Sequence, residues 1–197
     1  LKKRLKEIVK TLQNLNYVEK EGVDEKVAIN IDLARRYLVD SIYKQAMLEG
    51  VATTYSDTET IVNGGKVKGM TASDVEKVVN LKRAWEFILS TDLANYPTNY
   101  VVLCQINLIV EDGFSLTAGR IRSVPVTIGG SNYLPPMPFE NLIKEQLSDF
   151  LGNESGIDLA IDLILYVMKK QLFLDGNKRT AILFANHYLI SHALGLL

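Results

Sequence analysis

Apolar residues recur three and four positions apart along most of the chain, and this spacing predicts a mainly helical protein. One such pattern predicts a helix over about residues 1–15. A second predicts a helix over about residues 30–48, with one apolar face formed by Leu33, Leu38, Val39, Ile42, Ala46 and Met47. Glu49-Gly50 should end this helix, because glycine is favoured just past a helix terminus.

The rest of the chain alternates predicted helices with polar connections. Residues 51–70 are polar and contain Asn63-Gly64-Gly65, which predicts a loop. Ser73 and Glu76 have the spacing of a capping box, which predicts the start of a third helix. Further helices are predicted over about residues 100–111, from near 139, over about 157–170 and over about 177–194.

One stretch has the pattern of β-structure. Val124, Val126 and Ile128 occupy alternate positions, a Gly-Gly-Ser-Asn turn follows at 129–132, and Tyr133-Leu134 precedes a tandem proline. This pattern predicts a β-hairpin. The predicted class is therefore all-α with one small β-hairpin, divided into an N-terminal helical extension (1–29) and a main domain (30–197).

The composition is that of an ordinary globular domain, with 47% hydrophobic and 23% charged residues. The 22 Lys and Arg are balanced by 23 Asp and Glu, which argues against sequence-independent nucleic-acid binding, because that binding needs a basic excess. Residues 1–10 are charged, unlike a signal peptide, and the uncharged run 93–110 contains Pro97, which favours a buried helix over a membrane span. We expect a cytoplasmic protein with neither nucleic acid nor membrane as a partner.

Cysteine and histidine chemistry is scarce. Cys104 is the single cysteine, so an internal disulfide is excluded, and its apolar surroundings predict a buried structural thiol. His187 and His192 are too few for a His-rich zinc site, and we interpret both as ordinary helix residues.

The loop 173–180, Phe-Leu-Asp-Gly-Asn-Lys-Arg-Thr, concentrates the candidate chemistry. A helix that begins near Asn177 has first-turn N–H groups without intrahelical partners, and with the helix dipole these form an anion site. Gly176 allows close backbone approach, Lys178 and Arg179 add positive charge, and Asp175 is suited to a phosphate-bound Mg²⁺. The alternative is that Asp175 caps the helix, Gly176 makes a turn and the two basic side chains are solvated. The spacing is not that of a Walker loop.

These residues resemble the core of the Fic/Doc signature, His-Pro-Phe-x-Asp/Glu-Gly-Asn-Gly/Lys-Arg. The resemblance extends over most of the chain, from about residue 30 to the C-terminus. Residues 47–54 (Met-Leu-Glu-Gly-Val-Ala-Thr-Thr) are similar to the segment around the autoinhibitory helix of Fic proteins. Asn80 and Ala84, the Gly-Arg-Ile-Arg of 119–122 and residues 128–136 also resemble family segments.

The resemblance implies a transferase that moves the AMP part of ATP, or a related phosphate-containing group, to a hydroxyl of a target protein. It implies that Asp175 ligates Mg²⁺ and that the nucleotide is held by Phe173, Gly176, Asn177, Lys178 and Arg179. It also implies that Glu49 and Gly50 are regulatory, and that a flap containing Gly129, Gly130, Asn132 and Tyr133 clamps the target peptide by strand addition. A homodimer or an antitoxin is a possible further partner.

Four positions depart from the family pattern, one of them Leu172 in place of the signature proline. Gln171 replaces the general-base histidine, and a glutamine amide cannot take a proton near neutral pH; losing such a base typically lowers the rate by about 10²–10⁴. Ile182 replaces a second arginine, which leaves Glu49 without its expected partner, so Glu49 could equally be an exposed last-turn residue. Gln45 replaces the Ser or Thr of the inhibitory motif.

Three functions therefore stay open at this point: a weak or unusual Fic transferase, a pseudoenzyme that binds nucleotide and peptide, and a Doc-like toxin kinase. Gln171 decides between the first two, because they share the fold and the site.

Overall fold

The computed structural model describes residues 24–153 and 155–197, and within these ranges the chain is helical. The helices are α1 (Glu25–Arg36), α2 (Leu38–Leu48), α3 (Tyr55–Val62), α4 (Ala72–Ile88), α5 (Thr91–Ala94), α6 (Tyr100–Val110), α7 (Glu140–Asn153), α8 (Ile157–Lys170) and α9 (Asn177–Ser191). The predicted all-α class is confirmed. The helix predicted over about residues 1–15 lies outside the described residues.

The single helix predicted over residues 30–48 is two helices. Tyr37 ends α1 and immediately precedes α2. Asp24 begins α1 earlier than predicted, because its side chain accepts a hydrogen bond from the Lys26 N–H at 2.9 Å. At the other end the prediction is correct: Glu49 follows the last helical residue, and Gly50 has φ +72°.

The loop predicted over residues 51–70 contains α3, a helix of eight residues. The Thr54 hydroxyl accepts a hydrogen bond from the Asp57 N–H, and Ile61 and Val62 are buried. The start of α4 is also displaced from the predicted capping box: Thr71, not Ser73, accepts the bond from the N–H three residues later. Both errors come from Thr-x-x-Asp caps that precede weakly amphipathic sequence.

The core is built around α9, which packs against α8, α6 and α4. Helix α9 is buried almost all round, and its apolar residues have little preference for one side, as expected of a central helix. Trp85, Leu103 and Phe184 are among the largest fully buried side chains. The structure thereby fixes the start of α9 against the C-terminal end of α6.

The uncharged run 93–110 forms the short α5, a connection and α6, and the buried helix predicted there is confirmed. Across residues 24–153 and 155–197, every helix is too short or too polar to cross a membrane.

The predicted β-hairpin is wrong: no strand occurs in the described ranges, and residues 123–138 form an irregular loop. A turn does form at the predicted place, where the Ser131 N–H donates to the Ile128 carbonyl. The alternating residues have no buried face to gain, since Val124 is 48% exposed and Leu134 is 70% exposed. A two-stranded hairpin without such packing is marginal, and this segment is held differently.

The loop is held by Arg122, whose side chain is buried. Its guanidinium donates to the carbonyls of Val124 (2.7 Å), Pro135 (3.3 Å) and Pro136 (2.7 Å) on one side. On the other side Nε donates to the Gln171 carbonyl at 2.6 Å, and Nη2 reaches the Lys170 carbonyl at 3.4 Å. One side chain therefore joins the loop to the end of α8.

Candidate functional site

The connection between α8 and α9 is a tight loop anchored by buried apolar side chains, Leu172 and Phe173. The Asn177 amide folds it, because Oδ1 accepts from the Phe173 N–H and Nδ2 donates to the Phe173 carbonyl, both at 2.9 Å. The side chain of Asn177 therefore shapes the loop. The predicted nucleotide contact of Asn177 stays a prediction, and with its side chain bonded within the loop it would have to use the backbone N–H.

Gln171 is the first residue of the loop, at the position predicted to carry the catalytic group. Its backbone is left-handed, with φ +47°. Its Nε2 donates to the Met168 carbonyl at 2.7 Å, and its Oε1 accepts from Asn177 Nδ2 at 3.2 Å. Both ends of this amide are thus occupied inside the protein.

The first turn of α9 presents free donors. Gly176 precedes the helix and supplies no capping side chain. The N–H groups of Asn177, Lys178 and Arg179 donate to no other group of the described residues. Together with the positive end of the helix dipole, they provide the donors that the predicted anion site needs, and anion binding there stays a prediction.

Arg179 is the most enclosed charge of the site, with only 4% of its side chain exposed. Its Nη2 lies 2.8 Å from Glu111 Oε1, and its Nε lies 3.3 Å from Glu49 Oε2. Its Nη1 and Nε are buried and have no hydrogen-bond partner, and Glu111 Oε1 has none either, so Arg179 is held by ion pairs. The solvated alternative for Arg179 is therefore wrong, and a buried donor without a partner indicates an acceptor that the protein itself does not supply.

Lys178 is less enclosed, with its side chain 48% exposed. Its Nζ donates to the Leu48 carbonyl at 3.1 Å and lies 3.7 Å from Glu49 Oε1. The two basic side chains of the loop thus both reach the end of α2. Glu49, only 14% exposed, is not the exposed last-turn residue that the sequence allowed as an alternative.

Glu111 is a site residue that the sequence analysis missed. It ends α6, and its side chain is 2% exposed. Burial raises the pKa of its carboxyl, the nearby Arg179 guanidinium opposes this rise, and Asp175 and Glu49 add to it. A charged residue directly after a long apolar helix was the available signal.

Glu111 also lies against Gly176. A Cβ added at Gly176, where φ is +73°, would lie 2.5 Å from Glu111 Oε1. Two features therefore favour glycine at this position: the positive φ, and the close approach of the Glu111 carboxyl.

Asn107, one turn before Glu111 on α6, is the second missed residue. Its buried amide donates to the Asp175 carbonyl and to Thr180 Oγ1, each at 3.1 Å. Its Oδ1 accepts from the Gly119 N–H at 2.8 Å. The Asn107 side chain therefore connects the α8–α9 loop, helix α9 and the segment that follows α6.

Asp175 lies at the mouth of the site, with 73% of its side chain exposed. Its Oδ1 accepts from the Gly176 N–H at 2.7 Å and lies 3.9 Å from Arg179 Nη2. The described residues contain no group of three or more His, Cys, Asp or Glu side chains placed to hold a metal. An exposed single carboxylate does fit Mg²⁺ that arrives on phosphates, because Mg²⁺ usually keeps waters and takes one or two protein carboxylates.

The predicted flap residues lie on the surface of the irregular loop. Gly129, Gly130 and Asn132 are exposed, and Tyr133 has Lys169 Nζ 5.9 Å from its ring centroid. Docking of a target peptide on this loop stays a prediction. The expected strand addition lacks its first requirement, because this loop contains no strand with which the peptide could pair.

The remaining reactive residues are structural. His187 is fully buried, with Nδ1 2.8 Å from Thr98 Oγ1 and Nε2 2.9 Å from the Leu93 carbonyl, and burial lowers its pKa to about 4. Burial raises the pKa of the Cys104 thiol to about 11, which keeps it protonated. His192 bonds to the Tyr188 carbonyl one turn back.

Comparisons with known proteins agree with the fold. A sequence model of the Fic/DOC family matches residues 97–189, which contain α6, the irregular loop and the anion site. A search of curated proteins gave no match.

Solved structures are similar over most of the chain. A fragment of Fic-1 from C. elegans matches 98% of the chain at 19% identity (TM-score 0.64), and the chain spans 59% of that fragment. A Fic domain containing signaling protein from Bacteroides thetaiotaomicron matches 96% at 21% identity (TM-score 0.67; 72% of that chain). A Fic family protein from Desulfovibrio desulfuricans matches 88% at 17% identity (TM-score 0.62; 60% of that chain). The chain therefore has the fold of these Fic structures.

Proposed function

We propose that this chain is a Fic-type protein that binds the phosphates of Mg-ATP, or of a similar nucleotide, at the start of α9. In this proposal it transfers AMP or a related phosphate-containing group to a hydroxyl of a target protein, weakly because Gln171 replaces the base. The observation that carries the proposal is the buried Nη1 of Arg179, which lacks a partner beside the unpaired N–H groups of the first turn of α9.

The residues have separate tasks in this proposal. The N–H groups of Asn177, Lys178 and Arg179 bind phosphate oxygens, and the Arg179 guanidinium neutralises charge that develops on them. Phe173 and Gly176 shape the loop, and Asp175 would hold Mg²⁺, which supplies charge neutralisation on the phosphates when it is bound. Glu49 forms ion pairs with Arg179 and Lys178 in the free protein, so it opposes phosphate binding until the end of α2 moves away. Gly50, the next residue, would take part in this regulation as part of the same segment.

For AMP transfer, the target hydroxyl oxygen forms a bond to the α-phosphorus, the bond to the β-phosphate oxygen breaks, and pyrophosphate leaves. The hydroxyl proton needs an acceptor. Gln171 cannot provide one, so the proton passes to water, which is a poorer base at neutral pH. The chain's contribution is then positioning and electrostatics without the base.

A second candidate, the binding module, has its own observation in favour. Both ends of the Gln171 amide are bonded to Met168 and Asn177, so this side chain is not free to orient a hydroxyl. Binding needs none of that chemistry. A Doc-like kinase, whose histidine is also absent here, is the less favoured third candidate.

Calorimetry with Mg-ATP tests the binding step. We expect wild type to bind and Arg179→Ala to bind about 10–100-fold more weakly, the effect of losing a hydrogen bond to a charged group. Arg120→Ala is the matched control, because Arg120 is exposed on the chain that leads to the irregular loop. Absence of binding by wild type, also when Glu49→Gln relieves the opposing carboxylate, would refute the proposed function.

Transfer of labelled AMP or phosphate, including self-modification, then separates the candidates. Weak transfer by wild type that increases in Gln171→His supports the transferase. Silence in wild type with activity in Gln171→His supports the binding module. Growth arrest on expression would favour the toxin.

A further inference from the structure

Arg179 is held between two carboxylates that are attached to the fold in different ways. Glu49 belongs to the end of α2, and Glu111 belongs to the end of α6. Only the first lies in a segment with a regulatory expectation. The second needs a separate explanation, because a buried carboxylate beside a phosphate site works against phosphate unless it does something else.

Glu111 has little freedom to move away. Its side chain is 2% exposed, and its Cγ and Cδ would lie 3.1 Å from a Cβ built on Gly176. One turn earlier on the same helix, Asn107 bonds to the Asp175 carbonyl and to Thr180. The carboxyl therefore belongs to the same packed unit as the loop and α9.

Glu111 also contacts one particular nitrogen, Nη2, of the Arg179 guanidinium. Its Oε1 lies 2.8 Å from Nη2 in an ion pair that makes no hydrogen bond, and Nε and Nη1 are buried without a hydrogen-bond partner. A guanidinium that is held by an ion pair at one nitrogen and keeps donors without hydrogen bonds is oriented before a ligand binds. Pre-orientation lowers the entropy that binding costs.

We propose that Glu111 is a positioning residue that orients the Arg179 guanidinium towards the phosphate of a ligand bound at the start of α9. This inference rests on the proposed function, since it assumes a phosphate-containing ligand at the start of α9. It assigns to Glu111 no contact with the ligand and no transfer of a proton.

The inference is testable because charge and position predict opposite results. If Glu111 acted only through its negative charge, Glu111→Gln would remove its repulsion of the phosphates and tighten Mg-ATP binding by about fivefold. This is the size of the interaction between two charges about 4 Å apart in water. If it positions Arg179, Glu111→Gln weakens binding by about tenfold, because the guanidinium loses the ion-pair partner that orients it. Glu111→Asp keeps the charge and withdraws it by one carbon, so it should weaken binding as well.

The experiment is calorimetry of Mg-ATP in the Glu49→Gln background, where the competing carboxylate is neutral. Asp112→Asn is the matched control: it removes one negative charge at the adjacent residue, whose carboxylate lies 3.7 Å from Arg83 and not at Arg179. We expect weaker binding for both Glu111 variants and near-wild-type binding for Asp112→Asn. Equal or tighter binding for Glu111→Gln and Glu111→Asp overturns the inference and leaves the proposed function intact.

A measurement without ligand keeps the inference falsifiable by itself. The NMR signal of the Arg179 side-chain N–H groups should be protected from solvent exchange in wild type and in Asp112→Asn. It should lose protection in Glu111→Gln and Glu111→Asp while the melting curve still shows one cooperative transition. Unchanged protection in both variants refutes the positioning role, whereas absence of Mg-ATP binding in every protein refutes the proposed function.

Discussion

Replacement of Arg122 should separate the irregular loop (residues 123–138) from the connection between α8 and α9. We consider Arg122→Met, which keeps much of the apolar stem and removes every side-chain donor. The guanidinium holds carbonyls of two kinds. Those of Gln171 and Lys170 end α8, and those of Val124, Pro135 and Pro136 belong to the surface loop.

The magnitude follows from which carbonyls can find water. The surface loop can move outward and hydrate its three acceptors. The Gln171 and Lys170 carbonyls are fixed by the helix, and each buried acceptor that loses its partner costs about 1–3 kcal/mol. With two such acceptors, we therefore expect Arg122→Met to lower the free energy of unfolding by about 2–6 kcal/mol.

Urea denaturation followed by circular dichroism measures this change, and Arg120→Met is the control because Arg120 is exposed two residues earlier. The control should change stability by less than about 0.5 kcal/mol, as surface substitutions usually do. Limited proteolysis should also cleave Arg122→Met faster within residues 123–138. A stability loss under about 1 kcal/mol with unchanged proteolysis would mean that other contacts hold the loop.

Three further results are expected. Gly176→Ala should lower stability by about 1–3 kcal/mol in thermal melts and weaken Mg-ATP binding, because its Cβ meets Glu111 Oε1 at 2.5 Å and φ is +73°; equal stability to wild type would contradict the close packing. Asn107→Ala should cost about 2–4 kcal/mol in urea unfolding, since it leaves buried partners on Asp175 and Thr180 unsatisfied; a cost under 1 kcal/mol would mean that water replaces it. Burial lowers the pKa of His187 to about 4, below its ordinary value of 6.5 in the unfolded chain. As pH falls from 6.5 towards 4, the unfolded state binds a proton that the folded state does not, so the free energy of unfolding falls by about 3 kcal/mol. Unfolding of His187→Asn should show a smaller loss over that window and His192→Gln the full one; identical curves for all three proteins would refute the assignment.

The sequence predicts the fold well where packing and periodicity agree. The bounds of α6 and α8 follow their apolar repeats to within a residue, because these helices are buried on one broad face. Helix α3 was missed because six of its eight residues are polar or aromatic and its Thr54 cap precedes no apolar run. The hairpin was predicted wrongly because alternation alone does not provide a buried face, and here the Arg122 guanidinium holds the segment in place of a second strand.

The sequence predicts the candidate site only as far as it is local. The loop from Phe173 to Arg179 is contiguous, so its donors and its helix start can be inferred from neighbouring residues. Glu111 and Asn107 are distant in sequence, and only the packing of α6 against α9 brings them to the loop. A polar residue inside an apolar helix signals a buried partner but does not identify it.

In the proposed function, binding and turnover depend on different groups of the loop. Phosphate would be bound by backbone N–H groups and by Arg179, and the Asn177 amide holds the loop by bonding to Phe173. The Asn177 amide also donates to Gln171 Oε1 at 3.2 Å, but its two bonds to Phe173 do not involve Gln171, and the Gln171 backbone is held by Arg122. The loop geometry is therefore compatible with a residue other than histidine at position 171.

Charge is what would limit binding in the proposed function. Two basic side chains, Lys178 and Arg179, face three carboxylates on Glu49, Glu111 and Asp175. A bare triphosphate would meet net repulsion there, whereas one that brings Mg²⁺ to Asp175 and displaces Glu49 would find the balance reversed. If the proposed function is correct, occupancy of the site should therefore depend on displacement of Glu49 at the end of α2 more than on the residue at position 171.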